Sequence, residues 1–228
     1  KTTSTINLGA GVQKLGKKVL LIDLDPQAHL TYSLGIQAHE IDKTVYELLK
    51  GAASLTEVLR KRGELSVIPS NLDLSGAEIE LSGIAGREFL LREALETLSE
   101  FDYVLIDCPP SLGLLTLNAL TTAQEVYIPL QAEFLAMQGM SKLLQTVEII
   151  QKRLNKDLKI SGIIVTCYDQ RKKLNKEVVE KIKEYFGEKK LFKTLIRDNV
   201  SLAEAPSFGQ TIFEYKADSY GAQDYFSL

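Results

Sequence analysis

The sequence predicts an α/β fold in which a doubly wound, mostly parallel sheet carries helices on both faces. Short apolar runs rich in β-branched residues recur along the chain, helical patterns fill the stretches between them, and no proline- or glycine-rich linker divides the 228 residues. Apolar runs of about four to eight residues are typical of strands buried on both faces. Their alternation with helices favours parallel pairing. We therefore expect one domain that spans residues 1–228.

The predicted strands are the apolar runs themselves. In chain order they are Val19–Ile22, Leu65–Ile68, Tyr103–Ile106, Val126–Leu130, Ile160–Thr166 and a weaker run at Phe192–Ile196. The predicted helices lie between them. They are a helix-like segment after Lys1, then Arg87–Leu98, Leu114–Thr122, Glu133–Leu154 and Asn175–Tyr185. The longest of these has apolar residues at i, i+3 and i+4, which is the stripe of a helix that packs on a core.

Composition limits the function classes. The net charge is −3, with 45% hydrophobic and 25% charged residues, so bulk charge does not predict nucleic-acid binding, although a local basic patch remains open. No uninterrupted apolar run reaches the roughly 18 residues that span a bilayer. Cys108 and Cys167 lack metal-ligand spacing, which fits a reducing cytoplasm and predicts two buried structural thiols.

The opening Lys1-Thr2-Thr3 is similar to the second half of a phosphate-binding loop, G-x-x-x-x-G-K-[ST]. A lysine at a helix N-terminus meets the positive end of the helix dipole, and an anion between them removes the conflict. Read alone, the tripeptide is better explained by an arbitrary Lys-Thr. In the full motif glycines and a strand precede the lysine, so we expect those elements ahead of Lys1, and we expect the domain to be truncated at both ends.

Acidic residues follow two predicted strands. Asp23 and Asp25 come directly after Val19–Ile22, and Asp107 ends the run that begins at Tyr103. Ligands of open α/β sheets bind at the carboxyl ends of the strands, and a strand-terminal Asp can hold Mg²⁺ there. The alternatives are a polar exit from the strand and an N-cap for the helix that follows. Together with the opening lysine and threonine, these acids predict a site for Mg²⁺ and a nucleotide.

Longer motifs identify a family. They are Lys1–Gly9, Gly16–Gln27, Leu74–Leu81, Ile106–Leu120 and Val200–Gly209. In combination they resemble the ParA/Soj chromosome- or plasmid-partitioning ATPases, which have a deviant Walker A loop, and the resemblance covers essentially the whole chain. It implies a P-loop NTPase fold of the ParA/MinD type with its first strand and glycine loop absent from this sequence, and it implies ATP and Mg²⁺ as ligands.

The resemblance also assigns roles to residues. Lys1 matches the second lysine of the deviant loop, Thr2 the Mg²⁺ ligand and Thr3 the next loop residue. Asp25 matches the acid that positions the attacking water. Asp23 lies beside Asp25 near the metal, and Asp107 matches the Walker B acid. Arg197 and Asn199 match a segment near the adenine, although the proline usual in that segment is displaced here.

The resemblance implies a switch. Such proteins bind DNA non-specifically as ATP-bound homodimers, hydrolyse ATP slowly, and are stimulated by a ParB-like partner. A cytoplasmic protein of a bacterium or archaeon, associated with the nucleoid and without a membrane partner, is expected. The DNA surface is assigned to the cluster Arg171, Lys172 and Lys173, against the alternative of a solvated charged face. Two other functions remain open: a MinD-like positioning ATPase at a membrane or protein scaffold, and a non-enzymatic scaffold.

Overall fold

The computed structural model describes residues 1–133 and 140–228. Its strands are β1 (Val19–Asp23), β2 (Arg60–Arg62), β3 (Leu65–Ile68), β4 (Tyr103–Asp107), β5 (Glu125–Gln131) and β6 (Lys159–Thr166). The described residues form a four-stranded sheet of order β2-β3-β1-β4 and a two-stranded sheet of β5 and β6. β1 pairs in parallel with both β3 and β4, as β5 does with β6, and β2 runs antiparallel to β3. The prediction of a mostly parallel sheet is confirmed.

Helices connect the strands. The α-helices are α1 (Thr2–Lys14), α2 (His29–Ser33), α3 (Val45–Leu49), α4 (Leu55–Val58), α5 (Ala77–Glu80), α6 (Leu90–Ala94), α7 (Leu114–Thr122), α8 (Met140–Arg153), α9 (Lys173–Phe186), α10 (Val200–Glu204), α11 (Ile212–Tyr215) and α12 (Tyr220–Ser227). Short 3-10 turns lie at Ala38–Glu40, Leu72–Gly76, Leu81–Gly83, Arg87–Phe89, Glu188–Lys190 and Ala205–Phe208. Within the described parts of the chain, no helix combines the length and the apolar character needed to cross a bilayer.

Both faces of β1 are covered. Leu20 and Ile22 point to one face and pack in a cluster that contains residues of α3 and α7. Leu21 points to the other face and packs with residues of α1 and α2. All three side chains are fully buried, and burial of each contributes about 1.5–3 kcal/mol. Strand alternation therefore explains why this run is apolar throughout, and the prediction of helices on both faces is confirmed.

Three predicted elements differ from the structure. The weak strand predicted at Phe192–Ile196 is wrong: the segment donates two backbone hydrogen bonds to β6, from the amides of Phe192 and Ile196, and the isolated bridges are made by its neighbours Leu191 and Arg197. These contacts do not extend into a strand, and the Phe192 ring packs over Gly162. The helix predicted at Arg87–Leu98 shortens to a 3-10 turn and α6, because the side chain of Asn118 on α7 takes up backbone groups of the segment. The helix predicted at Glu133–Leu154 is observed over Met140–Arg153, and its residues 134–139 lie outside the described ranges.

Candidate functional site

Two carboxylates meet where β1 and β4 end. Asp23 and Asp107 are register partners on neighbouring parallel strands, and the amide of Leu24 donates to the Asp107 carbonyl at 2.9 Å. Both acids are buried, with 0% and 2% of their surface exposed. Burial raises the pKa of Asp23 to about 7, against the opposing effect of hydrogen bonds from Thr31. Burial also raises the pKa of Asp107. The two charges destabilise each other in this environment, so a cation would stabilise the pair.

The start of α1 lies against this pair of acids. Thr2 Oγ1 donates to Asp107 Oδ2 at 2.6 Å, and Lys1 Nζ donates to the Cys108 carbonyl at 2.8 Å. Thr3 is half-buried, and its carbonyl accepts from Asn7 Nδ2 at 2.8 Å. The first turn of α1 contains no acidic residue and no capping side chain. Since the first N–H groups of a helix have no intrahelical acceptor, this end of α1 is suited to an anion.

Asp25 lies in the loop that follows β1. It is 7% exposed, its amide donates to Asp23 Oδ1 at 3.1 Å, and its own Oδ1 accepts from the amide of Gln27 at 2.9 Å. The loop turns back at Ala28, which has a φ of 53° and donates its amide to the Asp25 carbonyl. The loop therefore holds Asp25 next to the paired acids.

The donor set at this edge fits Mg²⁺. The Thr2 hydroxyl and the Asp107 carboxylate supply hard oxygen atoms in direct contact. In residues 1–133 and 140–228, no group of three or more His, Cys, Asp or Glu side chains could hold a metal ion. Mg²⁺ does not need such a group, because it retains waters and takes oxygens from bound phosphates. Asp23 is the less available predicted ligand, since both its oxygens already accept hydrogen bonds from Thr31 and Asp25.

Arg197 and Asn199 are engaged elsewhere in the fold. The Arg197 guanidinium forms an ion pair with Asp224 at 2.6 Å and lies over the Tyr220 ring, 4.0 Å from its centroid. The Asn199 side chain caps α10 by accepting from the amide of Ser201 at 3.0 Å. No hydrogen bond among the described residues joins either side chain to the acids of β1 and β4. Their adenine-binding role stays a prediction.

The predicted DNA cluster is exposed and partly neutralised. Arg171 pairs with Asp169 through two hydrogen bonds, from Nε at 3.0 Å and from Nη2 at 2.9 Å. These bonds lower the pKa of Asp169 to about 2. Lys173 lies 3.6 Å from Glu177, and Lys172 precedes α9 on the exposed surface. The cluster therefore presents less free positive charge than its sequence indicates.

Sequence reasoning missed Thr31 beside the acids and wrongly placed Cys167 in the interior. Thr31, eight residues beyond Asp23, donates to its carboxylate from both amide and hydroxyl. No spacing rule marks this threonine, because the contact depends on how the loop closes. Cys167 is exposed, so the prediction that it is buried is wrong, whereas Cys108 is partly buried beside Asp107. Cys167 follows β6 at a φ of 53°, where the strand has ended and its burial ends with it.

Comparisons with known proteins give matches over most or all of this chain. A family model described as an AAA domain matches residues 1–160. The chromosome-partitioning ATPase Soj of Treponema pallidum is 49% identical over all of this chain and 90% of its own length. The sporulation initiation inhibitor protein Soj of Bacillus subtilis is 46% identical over all of this chain and 91% of its own length. A crystal structure named cobyrinic acid a,c-diamide synthase from Mycobacterium smegmatis, with bound ATP analogue and magnesium, is 37% identical. It has a TM-score of 0.87 and covers 99% of this chain and 86% of its own.

Proposed function

Because the chain belongs to the ParA/Soj family of P-loop ATPases, we propose that it hydrolyses ATP with Mg²⁺ and acts in the partitioning of a chromosome or plasmid. Residues 1–228 are taken as a single P-loop ATPase domain. The observation that carries the proposal is the 2.6 Å contact of Thr2 Oγ1 with Asp107 Oδ2 at the start of α1. It joins a helix end suited to phosphate with a carboxylate suited to the cation.

Each side chain has a defined task in this proposal. The Lys1 ammonium and the first amides of α1 bind the phosphates, and Thr2 with Asp107 holds the cation. Bound Mg²⁺ supplies neutralisation of the charge on the transferred phosphoryl group. Asp25 orients the attacking water. Such catalysis depends on positioning and charge neutralisation more than on covalent intermediates. The main contribution of the protein is therefore that its fold holds these residues in fixed positions.

The hydrolytic step is tested with purified protein and two acid variants. Asp25→Ala should abolish Mg²⁺-dependent phosphate release and keep nucleotide binding, because the water loses its orienting group. Asp102→Asn is the control. Asp102 accepts from the amide of Lys18 at the amino end of β4, and the acids of the site lie at or just beyond the carboxyl ends of the strands. Full activity in Asp25→Ala would remove Asp25 from the reaction.

The switch is proposed as the family resemblance implies it. ATP binding drives a homodimer that binds DNA without sequence preference, and a ParB-like partner accelerates hydrolysis. Arg171, Lys172 and Lys173 are the proposed phosphate contacts, supported by the exposure of all three. Light scattering with a non-hydrolysable ATP analogue should show a dimer, and DNA should retain the protein only in that state. Retention by anionic lipid vesicles and not by DNA would favour a membrane-positioning ATPase instead.

A further inference from the structure

The Asp23 carboxylate closes the loop that carries Asp25. Its Oδ1 accepts from the amide of Asp25 at 3.1 Å, two residues along the chain. Its Oδ2 accepts from the amide of Thr31 at 2.9 Å and from the Thr31 hydroxyl at 2.7 Å, eight residues along. One buried side chain therefore joins the first, third and last residues of the segment 23–31. The position of Asp25 depends on this closure.

Thr31 also links the loop to the next strand. Its Oγ1 accepts from the amide of Ser70 at 3.0 Å, just beyond β3. A backbone amide can only donate, so the single proton of the Thr31 hydroxyl is directed to Asp23. Thr31 and Ser70 are both fully buried, and water cannot replace either bond readily. The two hydrogen bonds form a chain with one direction of donation, from the Ser70 amide after β3 to the Thr31 hydroxyl and from that hydroxyl to Asp23 at the end of β1.

We propose that Thr31 is a positioning residue for hydrolysis: its hydroxyl fixes the Asp23 carboxylate and so holds Asp25 where water is oriented. The inference rests on the proposed function of Asp25. Thr31 does not touch the reacting atoms and acts through Asp23 alone. Loss of the hydroxyl leaves the buried Ser70 amide without an acceptor and removes one of the hydrogen bonds that Asp23 accepts. The loop must then shift to satisfy these groups. A displacement of about 1 Å at the reacting group can reduce the rate by about 100-fold.

Thr31→Val tests this step, because valine keeps the shape and the amide and removes the hydroxyl. We expect kcat to fall by about 10- to 100-fold, with the dissociation constant for ADP changed by less than about threefold. Thr31→Ser restores the hydroxyl and should recover most of kcat. Thr121→Val is the control for loss of a buried threonine hydroxyl, since Thr121 Oγ1 bonds the carbonyls of Glu88 and Asn118 away from the acids. Thr121→Val should retain the wild-type kcat even if its thermal stability falls as much as that of Thr31→Val.

Amide hydrogen exchange gives a readout independent of activity. In the wild-type protein, the amides of Asp25 and Thr31 should exchange slowly, because Asp23 oxygens accept from both. In Thr31→Val, exchange at residues 24–28 should accelerate, and in Thr121→Val it should not. Fast exchange of either amide in the wild type overturns the proposal without any variant. An unchanged kcat in Thr31→Val, with activity lost in Asp25→Ala, overturns it while the proposed function stands. Full activity in Asp25→Ala defeats the proposed function itself.

Discussion

The Thr2 hydroxyl donates a 2.6 Å hydrogen bond to the Asp107 carboxylate, although 105 residues separate them in the chain. The bond joins the first residue of α1 to the last residue of β4. It places a hydroxyl and a carboxylate beside a helix end that offers free amides. Asp23 lies next to Asp107 across the parallel pair. This arrangement supports our account of the molecule as an Mg²⁺-dependent ATPase.

The Arg171–Asp169 pair predicts an unusual effect of removing an acid. If Arg171 contacts DNA phosphate, Asp169→Asn should free the Arg171 guanidinium and strengthen non-specific DNA binding at low salt. The slope of log K against log salt should steepen by up to about 0.9, the value for one phosphate contact. Fluorescence anisotropy over a salt series measures both quantities.

Glu57→Gln is the charge-matched control for this effect. Glu57 is a surface acid paired with Lys43 at 2.5 Å, away from the cluster. Glu57→Gln removes the same charge as Asp169→Asn and should leave the slope of log K against log salt unchanged. If Asp169→Asn and Glu57→Gln behave alike, the effect is one of net charge and Arg171 is not a contact.

Asp23 predicts a pH dependence of stability in Mg²⁺-free buffer. Burial raises its pKa from the ordinary 3.8 to about 7 in the folded state, so the folded protein holds this proton more tightly than the unfolded chain. The resulting stabilisation is present below pH 3.8 and is lost as the pH rises through 7. The free energy of unfolding should therefore decrease between about pH 4 and pH 7. Denaturant titrations across this window measure it.

Asp23→Asn cannot ionise and should flatten that decrease. Its overall stability should be lower, because an amide NH₂ then faces a backbone or hydroxyl donor. Asp102→Asn, at the far end of β4, should keep the wild-type slope. The same slope in Asp23→Asn and the wild type would show that other groups cause the pH dependence.

Gly209 predicts a large effect on stability from one methyl group. Its φ is 63°, and an added Cβ would lie 2.7 Å from the Gly35 Cα and 3.0 Å from its nitrogen. Gly209→Ala therefore adds a backbone clash to the strain of a left-handed residue, and we expect a loss of at least about 2 kcal/mol. Gly51 has a φ of 70° and open space around it, so Gly51→Ala should lower the free energy of unfolding by about 1 kcal/mol. Equal losses in thermal or denaturant unfolding would contradict the close approach.

The sequence allowed the sheet to be predicted well, for a physical reason. A strand buried on both faces is apolar along most of its length, and β1 and β3 are buried at every position. β4, β5 and β6 are only partly buried, but each contains an apolar run that marks it. β2 was not predicted, because Arg60–Arg62 is an edge strand of basic residues and has no apolar signature. The segment at Phe192 shows the converse, since it is apolar but makes only two backbone hydrogen bonds to β6 and forms no regular strand.

The candidate site was predictable only in part. Asp23, Asp25 and Asp107 could be placed together because parallel strands end at one edge. The hydrogen-bond partners could not be predicted, since they depend on long-range contacts. Thr31 was missed for this reason, as were Asp224 beside Arg197 and Asp169 beside Arg171. Each of these partners changes what the predicted residue can do.

The most direct test of our account is the Mg²⁺ dependence of ATP binding. The dissociation constant of a non-hydrolysable ATP analogue should be measured by calorimetry with and without Mg²⁺, in the wild-type, Asp107→Asn and Asp102→Asn proteins. We predict that Mg²⁺ tightens binding by at least about 10-fold in the wild type and in Asp102→Asn. Asp107→Asn should lose most of that gain, since a charged hydrogen-bond partner contributes about 1.5–3 kcal/mol. Equal gains in Asp107→Asn and the wild type would contradict the account.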